Sequence, residues 1–171
     1  MTETHQQDSR NSSPSQAPDT LPLLLVCRLG DKKVAIELRF VDEVFRTGYV
    51  TPIPRAPACF VGLTNLRGRV VVLLDPAPIL SSAPPSRALP GRTAVLVSWR
   101  NIHAGLLVDH IEDVTKDRRY QFKPAAETSL TAGTIELDDG TVELVHIERL
   151  LREAVARSSA VGAELARQVA S

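Results

Sequence analysis

Val34-Ala35-Ile36-Glu37-Leu38, followed by Val41-Asp42-Glu43-Val44, is the stretch on which the fold turns. Shifted by about 70 positions, it falls on Ala104-Gly105-Leu106-Leu107-Val108 and Ile111-Glu112-Asp113-Val114. Both copies join an apolar run to an apolar-acid-acid-apolar signature. The match continues outward: Pro54 falls on Pro124 and, one register later, residues 62–69 fall on 133–140. Leu73-Leu74 then meets Leu144-Val145, and Ile79-Leu80 meets Leu150-Leu151. Two copies are too few for a solenoid. The pattern predicts a mainly β chain of two similar halves, about 21–80 and 92–151, each closing its own small curved sheet. Short strands at close spacing with polar turns favour small barrels over a sandwich.

The surrounding sequence supplies the strands this requires. Leu23 to Leu29 runs into a Gly30-Asp31 turn and then into the quoted strand, a strand-turn-strand pattern of hairpin type. Val70 to Leu74 reads as a buried strand. Asp75 follows as a helix N-cap, with Pro76 at the first helical position of a short turn through Ile79-Leu80. In the second half Ala94 to Trp99 breaks at Arg100-Asn101 before Gly105 to Val108. Pro84, Pro85, Pro90 and Gly91 mark a flexible connection over residues 81–91. Residues 1–20, rich in Gln, Ser and Pro, read as a disordered tail with too little apolar surface to offset its ordering entropy. Residues 152–171 read as a C-terminal helical tail, on which Val161, Leu165 and Val169 form a narrow apolar stripe.

Composition excludes whole classes of function. The 171 residues carry 20 Lys+Arg against 20 Asp+Glu, so no basic field is available for a phosphate backbone and no nucleic-acid partner is expected. The longest aliphatic run, Val70 to Leu74, is far too short to insert in a bilayer. No apolar signal segment follows Met1, so a cytoplasmic location is expected. Cys27 and Cys59 make no disulfide framework, and both read as small core hydrophobes.

Catalytic constellations are wanting. His103 and His110 lack the spacing partners of a metal site, and packed or solvent-facing imidazoles are the simpler reading. No nucleophile elbow and no phosphate-cradling glycine loop occurs, so neither catalysis nor a cofactor is expected. Asp75 lacks the acidic companions of a phosphoacceptor, and helix capping accounts for it. Glu112-Asp113 reads as a solvated acidic face.

One segment stands apart: Gly62-Leu63-Thr64-Asn65-Leu66-Arg67-Gly68-Arg69-Val70. Asn and Gly belong at hairpin turns because they tolerate positive φ, which sets Arg67 at a turn tip with its guanidinium outward. A rigidly displayed guanidinium suits a two-pronged contact with a partner's carboxylate or carbonyls. An arginine that merely keeps the turn soluble fits the same residues.

Together with Val41-Asp42-Glu43-Val44 and Ile53-Pro54, this segment resembles the CheW-like domain of bacterial chemosensory systems. Gly105-Leu106-Leu107-Val108-Asp109 before Ile111-Glu112-Asp113-Val114 matches the family's second-half signature, and Leu144 to Leu151 its closing strand and helix. The likeness covers residues 21–151. It implies two small five-stranded, SH3-like β-barrels packed around a shared core, with short helices. It further implies a non-catalytic adaptor linking the cytoplasmic tip of methyl-accepting receptors to the CheW-like regulatory domain of a CheA-type histidine kinase. Such an adaptor is recruited to membrane-associated receptor arrays. Position by position, Asn65, Leu66, Arg67 and Gly68 carry over as the coupling turn, with Val41 and Glu43 beside it on the partner-facing edge. Exposed barrel strands and the apolar groove between the halves would add contact area. Asp75-Pro76-Ala77 and His146 depart from the family pattern, which bears on partner identity and fits a non-flagellar pathway. A kinase-only inhibitory adaptor and a small β-barrel enzyme are the alternatives.

Overall fold

A computed structural model describes residues 22–81, 83–85, 89–115, 121–137 and 140–169, with side chains as far as residue 159. The expected tail, residues 1–20, and the side chains of the Val161, Leu165 and Val169 stripe lie outside that set. Twelve strands and two helices follow one another: β1 (Leu24–Leu29), β2 (Lys32–Glu37), a 3-10 turn (Leu38–Phe40), β3 (Val41–Arg46), β4 (Val50–Thr51), β5 (Phe60–Leu66), β6 (Arg69–Leu74) and α1 (Ala77–Leu80). The chain continues through β7 (Thr93–Trp99), β8 (Ile102–Val108), β9 (His110–Val114), β10 (Gln121–Pro124), β11 (Thr131–Leu137), β12 (Gly140–Val145) and α2 (Ile147–Val169).

The strands form two six-stranded sheets, in the orders β10-β11-β12-β2-β1-β9 and β3-β7-β8-β6-β5-β4. The halves therefore do not each close their own sheet, in contrast to what the repeat predicts. Each lends its first hairpin to the other: β1–β2 completes the sheet of β9 to β12, and β7–β8 completes that of β3 to β6. The physical reason lies in β1 and β7, which are apolar on both faces. Leu24 and Val26 point into one core while Leu25 and Cys27 point into another, and Ala94 and Leu96 alternate in the same way with Val95 and Val97. Such strands need cover on both faces, which the shared core gives on one side and the sheet's own core on the other. The 3-10 turn and the single residue Asp109 carry the chain across between sheets.

The repeat itself survives in the registers. Cys27 faces Ile111 across β1–β9, and Val97 faces Val41 across β7–β3, the same pair with its halves exchanged. Both ladders bulge at the same step, passing over Glu112 in one and Asp42 in the other. The parallel contacts correspond too, Leu144 opposite Ala35 and Leu73 opposite Gly105. Gly62 and Gly133 sit at matching shifts in β5–β6 and β11–β12. A Cβ on Gly62 would come 2.7 Å from Val50 Cγ1 and run into the Thr51 carbonyl.

Each sheet wraps a small core of its own, one built on Phe45, Leu73, Leu96 and Leu107, the other on Leu24, Val26, Ile135 and Val142. A third core lies between the sheets and joins Leu25, Ile36, Cys59, Leu74, Val95, Leu106 and Ile147. Each fully buried Leu, Ile or Val contributes roughly 1.5–3 kcal/mol of transfer free energy. Helix α2 begins before the expected tail, and Ile147, Leu150, Leu151 and Ala154 anchor its first turns in the shared core. Val70 departs from the expected buried strand: it is 72% exposed on the outer face of β6, beyond the reach of that core. Asp75 is buried and its Oδ1 accepts the Ala77 N–H at 2.9 Å, but the N-cap position falls on Pro76, one residue later than expected.

Candidate functional site

Strands β5 and β6 are joined by the two-residue loop Arg67-Gly68, with φ of +51° and +85°. Positive φ at both positions is the signature of a type I′ turn, whose twist matches that of the flanking strands. Gly68 meets that demand at no steric penalty, whereas Asn65 does not occupy the loop. It is the next-to-last residue of β5 and braces the turn from the side, its Oδ1 accepting the Gly68 N–H at 2.8 Å. Arg67 takes the left-handed position, a conformation that costs an L-residue with a Cβ about 1–2 kcal/mol.

The guanidinium is exposed, as expected, but it is not free in solvent. Arg67 Nη1 lies 2.8 Å from Glu43 Oε2. Glu43 belongs to the edge strand β3, with β7 and β8 lying between it and β6 in the sheet order. The pair thus spans the curl of the sheet and draws its edge to the hairpin tip. Val41 packs partly against the shared core and Leu66 against the core inside this sheet, so these two hold the ends of their strands in place.

Register places more residues at the same end. The parallel pairing of Leu73 with Gly105, continued back along both strands, sets Arg69 level with Asn101. The β5–β6 and β7–β8 loops are therefore neighbours, and the start of β3 joins them through Val41 opposite Val97. There Asp42 Oδ1 accepts a hydrogen bond from Ser98 Oγ at 2.9 Å, and His103 Nδ1 stands 3.8 Å from Asp42 Oδ2. On the outer face a groove of about 320 Å³ is lined by Tyr49, Thr51, Leu63, Thr64, Asn65 and Val70. Its most exposed apolar members, Tyr49 and Val70, flank the approach to the turn. Sequence reasoning missed both, although an apolar residue directly after a polar hairpin turn was a signal for Val70. The groove lies on the outside of β4, β5 and β6, while the space between the sheets holds the shared core.

Electrostatics elsewhere correct one expectation. Glu112 is not a merely solvated acid: it receives Arg28 Nη2 at 2.6 Å and Lys33 Nζ at 3.0 Å. The Lys33 hydrogen bond, seconded by Arg28, holds its carboxyl below the usual carboxylate range. Residues passed over at the bulge can turn their side chains to such partners. Burial pushes the Cys27 thiol up to about 12 and raises that of Cys59, so both are poor nucleophiles, as core cysteines should be. Among the described residues no group of three His, Cys, Asp or Glu side chains is placed to hold a metal ion, and no helix is long and apolar enough to cross a membrane.

Comparison with known proteins places these features in a family setting. The family model described as CheW-like domain matches residues 23–155. A probable chemotaxis protein CheW of Rhizobium etli is 28% identical over 137 residues, covering 76% of this chain and 87% of the relative. The chemotaxis protein CheW of Klebsiella aerogenes is 30% identical over 134 residues, covering 74% of this chain and 80% of the relative. Among solved structures, the scaffolding protein TtCheW from Thermoanaerobacter tengcongensis superposes with a TM-score of 0.64 at 21% identity, covering 73% and 88% of the two chains.

Proposed function

The chain belongs to the CheW-like domain family, and from that membership we propose that it is a non-catalytic coupling protein of a chemosensory pathway. In this reading it links the cytoplasmic tip of methyl-accepting receptors to the CheW-like regulatory domain of a CheA-type histidine kinase. It works in the cytoplasm at membrane-associated receptor arrays.

One observation carries the reading. Val41, Glu43 and Asn65 to Gly68 come from two separate stretches of sequence, yet they meet at one end of one sheet, tied by the Arg67–Glu43 ion pair. The arginine sits where Asn or Gly would relieve the backbone, and retained strain at an exposed tip is a mark of function rather than of packing. The chemistry available there is recognition: a planar charged fork, a carboxylate, and apolar surface alongside.

Co-sedimentation of the full chain with receptor cytoplasmic fragments and a CheA-type kinase tests it. Recruitment of the kinase to the receptors only when the chain is present supports coupling. Binding to the kinase alone would make it an inhibitory adaptor, and binding to neither would sink the proposal.

A further inference from the structure

The loop between β7 and β8, Arg100-Asn101, like the Arg67 turn, opens on an arginine at positive φ, although its second residue, unlike Gly68, has negative φ. Arg100 adopts φ +53°, and its guanidinium carbon lies 4.7 Å from the centre of the Trp99 ring. The equivalent loop of the first half is Gly30-Asp31, where glycine takes φ +58° without steric penalty. The same two-residue turn is thus made once with the residue it favours and once with an arginine. Arg100 is exposed and has no carboxylate partner among the described residues. By contrast Arg67 has Glu43, and Asp42 has Ser98 and His103.

We infer that Arg100, held over Trp99, is a second docking cation of the coupling surface and receives an acidic side chain of the same protein partner that meets Arg67. The inference rests on the coupling function proposed above. The loops stand two strand spacings apart, roughly 10 Å, a separation that one partner surface bearing two carboxylates can span. Stacking on Trp99 limits the guanidinium's freedom before contact, so less rotamer entropy is lost when the carboxylate arrives. With no acid beside it among the described residues, its positive charge is available to a partner, and the resulting contact is salt-sensitive.

Trp99 is the single tryptophan of the chain and reports on the site directly. The full-length protein is titrated with the kinase's CheW-like regulatory domain and, separately, with a receptor cytoplasmic fragment, following tryptophan emission at low and moderate salt. R100G keeps or raises the melting temperature, because glycine suits the turn. It weakens binding by about tenfold, the scale of a single charged contact, to the same partner whose binding R67A impairs, and a loss confined to the other partner would overturn the inference. R100G also flattens the salt dependence, and R100K recovers binding only in part. Native-like affinity and salt dependence in R100G, with R67A still impaired, would overturn the role of Arg100 while leaving the coupling function standing. If the native chain binds neither partner, both readings fall together.

Discussion

Arg67 Nη1 and Glu43 Oε2 are 2.8 Å apart, although two further strands separate their own strands in the sheet. The contact exists because the sheet curls until its edge strand β3 reaches the β5–β6 tip. It sets the guanidinium in one direction on a turn that already disfavours the residue carrying it. Orientation, rather than stability, is what such an exposed pair contributes.

Arg67→Ala should weaken binding of kinase or receptor by about 1–3 kcal/mol while circular dichroism stays native. Arg67→Lys should recover only part of the loss, since an ammonium has no planar fork. Arg67→Gly should raise folding stability by about 1 kcal/mol through relief of the left-handed strain, and should bind as poorly as Arg67→Ala. Arg69→Ala, one residue past the loop, is the tolerant control. An unfolded Arg67→Ala would show that the residue serves structure.

The stability and binding roles of Glu43 should separate. In a double-mutant cycle of Glu43→Gln with Arg67→Ala, the coupling energy for unfolding of the isolated protein should stay below about 1 kcal/mol, because Arg67 is 78% exposed. The same cycle measured on partner affinity should give a stronger coupling. Equal coupling energies in unfolding and in binding would reduce the pair to a structural tie.

Acid should remove a specific contribution to stability. Glu112 is held below its ordinary value in the folded chain by Lys33 and Arg28, so the folded state binds its proton more weakly than the unfolded state. Its stabilisation is present above the ordinary carboxylate range and is lost as pH falls through the lowered folded value. Glu136, lowered by Lys123 and Thr141, acts with the same sign. Chemical denaturation from pH 7 to pH 3 should show Glu112→Gln with a shallower acid loss than the native chain; parallel curves would refute the assignment.

Gly62→Ala should be severely destabilising, by about 2–4 kcal/mol. The new methyl meets the Thr51 carbonyl and Val50 at a φ of +154° that L-residues rarely adopt. Gly68→Ala, also at positive φ but with open space around its Cβ, should cost only the backbone strain of about 1–2 kcal/mol. Melting temperatures of the two variants give the comparison, and an equal loss in both would mean that steric contact at Gly62 is relieved by local movement.

By itself the sequence determined the mainly β character, the internal repeat, the hairpin carrying Arg67 and the burial of both cysteines, because these follow from local periodicity, turn chemistry and side-chain polarity. Leu24 to Cys27 is an unbroken apolar run, as a strand buried on both faces requires. It did not say which strands lie alongside, and that choice produced the exchange of hairpins between halves. Pairing partners are fixed by non-local burial: a strand apolar on both faces demands cover on both and does not name the strands that pair along its edges. For the same reason only the tertiary structure brought Glu43 to Arg67, set Arg100 beside that turn, turned Glu112 toward Arg28 and Lys33, and left Val70 uncovered at the end of an otherwise buried strand.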